Sequence, residues 1–282
     1  MKGEFKENSS TADIKLQTLY IGFRGYQVAV RSKACEVLEE IERGFREMLE
    51  FEPTSIVGQL EVYWKDGEYY LLGSSEADIS NETLSDILSY LKYEIVLCLI
   101  QASSELLWLH AAAAANRGSA VVIPGLSGRG KSTLVTNLCS LGWTYLSDDV
   151  LPVSLDSSKA IPFPRLPAVR ENAGQELLPE RVHELTKIEV SLNPEIICRK
   201  AMPIQALIFP TYIPQSPTQL LPLSPAFAAL ELLQNCLNFV HHKQAAVRYV
   251  CDLVRRIPTY RLSYSNGRCA AMLIETDLEK GV

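Results

Sequence analysis

The sequence predicts an α/β protein with a small α+β unit over residues 1–78 and a larger α/β domain over residues 79–282. Three observations predict it. An apolar run, Ala120–Ile123, leads into the glycine-rich stretch Gly125–Ser132 and then into a helical run to Leu141, the strand–loop–helix order of an α/β phosphate site. The preceding hundred residues mix short aromatic and β-branched runs with one amphipathic stripe. With 282 residues, 47% of them hydrophobic and 21% charged, the chain has enough apolar surface for two cores, which excludes a largely disordered protein.

Taken in order, Leu16–Val30 reads as a strand pair interrupted by Gly22 and Gly25. Lys33–Phe51 carries Val37, Leu38, Ile41, Phe45, Met48 and Leu49 on one helical stripe, with Pro53 as the stop. Residues 59–65 and 68–73 alternate about Asp66-Gly67, a dipeptide suited to a two-residue hairpin because both turn positions need φ > 0. Tyr63, Trp64, Tyr69 and Tyr70 in these strands are read as packing on their own core in preference to a partner-binding patch. Asn81–Ser104 is a helix capped by Asn81, with Leu84, Ile87, Leu88, Leu91, Ile95 and Cys98 at 3–4 spacing, packing on the second domain. The alanine run Ala111–Ala115 lies between Leu106–His110 and Ser119–Ile123, so residues 106–123 read as a tight hairpin of small side chains that let another layer approach closely. Glu176–Glu189 reads as a polar, solvated helix, and a further helix ends at Arg255-Arg256.

A net charge of −6 gives poor footing for a general nucleic-acid binder, which needs a concentrated basic face. The seven cysteines are scattered without metal-ligand spacing and suit reduced thiols in the cytoplasm. The polar start lacks the apolar segment of a secretory signal. The longest uncharged run, Ala201–Leu230, holds six prolines, which no lipid-exposed helix tolerates. His183 and the adjacent His241 and His242 are read as structural or exposed, since neighbours on a helix point to different sides.

Gly125, Leu126, Ser127, Gly128, Arg129, Gly130, Lys131 and Ser132 match GxxxxGK[ST] throughout. Glycines let successive backbone N–H groups turn inward around phosphate oxygens, with a positive helix end behind them. In such a loop Lys131 reaches the β- and γ-phosphates of ATP and the Ser132 hydroxyl ligates Mg²⁺. Sixteen residues after Ser132, a second apolar strand over 142–150 ends in Asp148-Asp149. One carboxylate of such a pair can hold Mg²⁺ and the other can accept the proton of an attacking hydroxyl.

Residues 107–150, LWLHAAAAANRGSAVVIPGLSGRGKSTLVTNLCSLGWTYLSDDV, resemble the core of the HPr serine kinase family, and more nearly the HPr-kinase-related proteins of peptide-modification gene clusters. The resemblance implies a fold like phosphoenolpyruvate carboxykinase, with a strand hairpin entering the phosphate loop. It implies Gly125–Thr133 as the ATP loop, Asp148 as general base, Asp149 as the metal-side carboxylate, and His110 beside the transferred phosphate. The family's Glu-Ile-Arg-Gly-Leu-Gly signature is replaced here by Ile161–Asn172, which speaks against HPr as substrate and against reverse phosphorolysis. Arg165 and Arg170 in that stretch are candidate phosphate clamps or surface arginines. The expectation is an ATP- and Mg²⁺-dependent kinase acting on a hydroxyl, that of serine in a peptide or small protein, in a chain that can form a homo-oligomer. Alternatives are a kinase of a free small molecule and an ATP-dependent switch or assembly protein without an acceptor.

Overall fold

The structure is a computed structural model that describes residues 15–73, 78–170 and 187–280. The chain divides into two compact units. One holds the chain through Arg43 together with Leu49–Leu99; the other holds Gly44–Met48 and everything from Ile100 onward.

The first unit is built on β1 (Gln17–Phe23), β2 (Tyr26–Ser32), α1 (Cys35–Gly44), β3 (Leu49–Glu50), β4 (Ser55–Lys65), β5 (Glu68–Leu72), β6 (Ile79–Asn81) and α2 (Leu84–Ala102). Its six-stranded sheet has the order β3-β1-β2-β4-β5-β6. The β1–β2 turn falls at Arg24 and Gly25, at φ 52° and 86°. Gly22 does not interrupt the strand: it stays paired with Gln27, and the Glu50 side chain occupies the space its missing Cβ leaves. The expected helix over 33–51 is shorter. It stops at Gly44, a poor helix residue; a single 3₁₀ turn follows, and Leu49–Glu50 take backbone partners from the β1 edge. Asp66 and Gly67 adopt φ 50° and 91°, making the predicted hairpin turn. On α2, Thr83 is the cap rather than Asn81. The Thr83 hydroxyl accepts from Asp86 N (3.2 Å), while Asn81 Oδ1 accepts from Thr83 N (2.9 Å). A Cβ on Gly58 of β4 would lie 2.6 Å from Cys98 Sγ, so α2 packs closely on this sheet, and the two units divide within the last turn of the helix, between Leu99 and Ile100.

The second unit continues with β7 (Leu106–Leu109), β8 (Ala111–Asn116), β9 (Ser119–Pro124), α3 (Lys131–Ser140), β10 (Thr144–Ser147), β11 (Leu151–Ser154), β12 (Lys159–Ala160), β13 (Ala168–Arg170), β14 (Lys187–Glu189), β15 (Met202–Tyr212) and β16 (Gln219–Pro222). It closes with α4 (Pro225–Gln234), α5 (Phe239–His242), α6 (Gln244–Arg256), β17 (Thr259–Tyr264) and α7 (Gly267–Lys280). The main sheet runs β10-β8-β9-β15-β12-β11-β7, with β17 also on β15. The hairpin is β8–β9 alone, turned at Arg117-Gly118, because β7 leaves it at His110 and pairs with β11. Lys187–Glu189 is a strand, not helix; the rest of the expected polar helix, with His183, lies outside the described residues.

Alternation along β8 and β9 explains the alanine run. Ala111, Ala113, Ala115, Ala120 and Val122 pack with α4 and α6, through residues such as Leu232 and Val250. Ala112, Ala114, Val121 and Ile123 face the opposite way and pack with α3 and α7, through Leu134, Leu138 and Ile274. Both faces are therefore covered by helices, and methyl side chains set a short distance between layers. Among the described residues no helix is long and apolar enough to cross a membrane.

Candidate functional site

β9, β15 and β17 are parallel, so their C-terminal ends gather at one edge of the sheet. The Gly125–Gly130 loop leaves β9 there and enters α3. Gly130 sits at φ 92° at the start of the helix with no side-chain cap. The first-turn N–H groups of α3 consequently receive no cap from this residue, the arrangement that suits an anion. Leu126, Ser127, Gly128 and Arg129 are exposed, whereas Lys131 is buried. Two contacts brace the loop from neighbouring strand ends. Tyr264 Oη, at the end of β17, donates to Gly130 O (3.0 Å), and Arg129 reaches Thr211 Oγ1 on β15 (3.4 Å). A Cβ on Gly130 would lie 1.9 Å from Tyr264 Oη, so the loop lies directly on that ring. No motif marks Tyr264 in the sequence, since only parallel pairing of β15 and β17 brings it to the loop.

The two aspartates leave β10 at a sharp turn. The strand ends at Ser147, Asp149 takes φ 70°, and Val150 N donates to Asp148 O (2.8 Å) across a three-residue turn. A positive φ at a residue with a Cβ is strained, and such strain concentrates where side chains must be aimed. On a continued strand the two carboxylates would face opposite ways; the turn brings both to one site.

Their surroundings differ. Asp148 is 3% exposed; its Oδ2 accepts from Ala168 N (3.2 Å), and its buried Oδ1 closes no hydrogen bond. Burial, and then the neighbouring Asp149 charge, push this carboxyl above its usual range; the facing Ser132 hydroxyl, Ala168 N–H and Lys131 oppose the shift. Asp149 has 45% of its side chain exposed, and its Oδ1 lies 2.9 Å from His110 Nε2. Burial works against its charge, but the hydrogen bond and charge of His110, with Arg165 and Lys131, outweigh it and hold the carboxyl well below its usual range.

His110 sits where β7 passes into β8, held by its N–H to Asn235 O (2.7 Å) and by its carbonyl accepting from Gly125 N (3.3 Å). The same Nε2 that faces Asp149 is also 3.0 Å from Lys131 Nζ, which in turn donates to Leu126 O (3.3 Å). One ring nitrogen can donate to the carboxylate or accept from the ammonium, not both at once. Lys131 is thus folded back onto its own loop and onto His110.

The structure brings Lys131, Ser132, His110, Asp148 and Asp149 together with the whole of Gly125–Thr133. It sets His241 and His242 apart: they form the end of α5, and His242 Nε2 bonds Leu106 O (2.9 Å), a structural role. Arg170 contributes its backbone to β13 opposite Lys187. The orphaned Oδ1 of Asp148, on a carboxyl that interacts with the Ser132 hydroxyl, fits a hard divalent cation, which takes carboxylate and hydroxyl oxygens as ligands.

No known protein-family profile matches the sequence, and no curated protein matches it. Among solved structures, the chain is similar to the HPr(Ser) kinase/phosphatase from Coxiella burnetii, at 12% identity over 62% of this chain and 95% of that one, with a TM-score of 0.32.

Proposed function

We propose that the protein is an ATP- and Mg²⁺-dependent kinase that transfers the γ-phosphoryl group to a hydroxyl, of serine in a peptide or small protein. The observation that carries this reading is the turn at Asp149. It sets one carboxylate against Ser132 of a complete phosphate loop and the other, half exposed, against His110. A loop that only bound nucleotide would need the first carboxylate but not the second.

The residue roles follow from these contacts. The backbone N–H groups of Gly125–Lys131 cradle the phosphates, and Lys131 exchanges His110 and Leu126 O for the β- and γ-phosphates. Ser132 and Asp148 would hold Mg²⁺, which when bound neutralises phosphate charge. Asp149 accepts the hydroxyl's hydrogen bond and then its proton. Once Lys131 turns to the phosphates, His110 Nε2 is left to Asp149 alone and orients it. This division reverses the one implied by the family resemblance, which allotted the base to Asp148 and the metal to Asp149. Asp148 is buried beside Ser132, whereas 45% of the Asp149 side chain is exposed to an incoming acceptor. We read the second unit as a phosphoenolpyruvate carboxykinase-like kinase domain, supported by the β8–β9 hairpin running directly into the loop, and place the protein in the cytoplasm as a possible homo-oligomer.

The test is a transfer assay with Mg-ATP and serine-containing peptides. Acceptor-dependent labelling that disappears in Lys131→Ala is the expected result. Phosphate release at one rate with and without acceptors would instead identify a nucleotide-driven switch.

A further inference from the structure

We propose that Arg165 supplies the guanidinium that binds the phosphoryl group in transfer; this rests on the reading of Gly125–Ser132 as the ATP loop. The segment that carries it, between β12 and β13, is fastened to β10 and its exit at successive points. Phe163 N donates to Leu146 O (3.0 Å), Ser147 Oγ lies 3.0 Å from Phe163 O, Tyr145 Oη donates to Arg165 O, and Ala168 N donates to Asp148 Oδ2 (3.2 Å). The backbone at Arg165 is therefore held beside the carboxylate turn by bonds on both sides of it.

The side chain is equally constrained. Its guanidinium carbon lies 5.8 Å from the centre of the Phe45 ring, and its Nε is buried without an acceptor. It closes no ion pair or side-chain hydrogen bond with any described residue. Yet two carboxylates stand close by. Asp148 spends Oδ2 on Ala168 N, and Asp149 gives Oδ1 to His110, leaving the arginine within reach of the Asp149 charge but bonded to neither carboxylate. A partly buried cation without a bonded anion is costly, and a protein that holds one in place beside a phosphate loop has left the anion to be supplied from outside. A planar fork of N–H donors matches phosphoryl oxygens in pairs, and the face of Phe45 keeps that plane oriented before the ligand arrives.

A role confined to keeping Asp149 ionised would not distinguish one phosphate ligand from another, which makes the two roles separable. The full-length protein is titrated with Mg-ADP and with Mg-ADP plus aluminium fluoride, a mimic of the phosphoryl group in flight. For the wild type, fluoride should tighten ADP binding. Arg165→Gln should bind ADP as the wild type does and lose about tenfold or more of the tightening, the size of one charge-assisted hydrogen bond. Arg165→Lys keeps the charge and a stem over Phe45, guards against a folding defect, and should also lose most of the tightening because it lacks the fork. Full tightening in either variant with ADP binding intact would overturn the role of Arg165. Absence of ADP binding in the wild type would overturn the phosphate-loop reading itself and this proposal with it.

Discussion

At the scale of single residues, the two aspartates are expected to fail differently. Asp149→Asn removes the proton acceptor and should lower transfer on the order of 10²–10⁴-fold, with Mg-ATP binding preserved. Asp148→Asn should instead raise the Mg²⁺ concentration needed for half-maximal rate; equal loss of Mg-ATP binding in both variants would refute the division. Asp148→Asn carries a second expectation, in stability. Burial holds this carboxyl above its usual range, so its ionised form costs folding energy. That cost is absent below the unfolded pKa of about 3.9 and grows as pH rises through the higher folded value. In the presence of a chelator, Asp148→Asn should melt higher than the wild type near neutral pH, and the gap should close toward about pH 4. Gly130 offers a third case. Alanine there meets Tyr264 Oη and the strain of φ 92°, so Gly130→Ala should abolish nucleotide binding. Tyr264→Phe removes only the hydrogen bond and should cost about 1 kcal/mol in chemical unfolding.

Among the elements, β8 is the most tightly determined. It places His110 at one end and lies between two helix layers, with alternate alanines serving each. Ala114→Leu pushes extra methylenes toward α3, where Leu134 and Leu138 already fill the space, and should destabilise by about 1–3 kcal/mol. Because α3 begins with Lys131 and Ser132, the same substitution should weaken Mg-ATP binding. Urea unfolding and a nucleotide titration on one preparation check both effects. A variant with unchanged unfolding midpoint would mean that the layers are not packed as closely as the methyl groups indicate.

For the whole molecule, the relevant fact is that every residue of the site belongs to the second unit. Ligand binding stabilises the unit that binds, by about 2.7 kcal/mol at a concentration of 100 Kd. Mg-ATP should therefore slow amide hydrogen exchange across residues 100–280, most in Gly125–Ser140 and the turn at 147–150, and leave residues 15–43 unchanged. Exchange followed by mass spectrometry makes this measurable. Protection of the first unit to the same extent would show that it takes part in nucleotide binding.

The sequence alone determined the phosphate loop, its flanking strand and helix, and the Asp66-Gly67 hairpin. Each rests on local conformational demands: φ > 0 at Gly128, Gly130 and Gly67, backbone N–H groups facing an anion, and a lysine one residue into the helix. It also brought Asp148 and Asp149 into view as a pair, with His110 through the family resemblance. Which aspartate faces what was decided only by tertiary structure, because it depends on the turn at Asp149, on Ala168 N arriving from the start of β13, and on His110 arriving from the junction of β7 and β8. The extent of the helices was settled in the same way: Lys33–Phe51 has a helical stripe throughout, yet the exposed edge of β1 offered Leu49 and Glu50 backbone partners that the sequence could not show. Tyr264 was silent for the same reason, and Arg165 stood only as a candidate, undistinguished from Arg170. A tyrosine at a strand end and an arginine among prolines have no local signature; each acquires a role only from the neighbour it meets, Gly130 in one case and the carboxylate turn in the other.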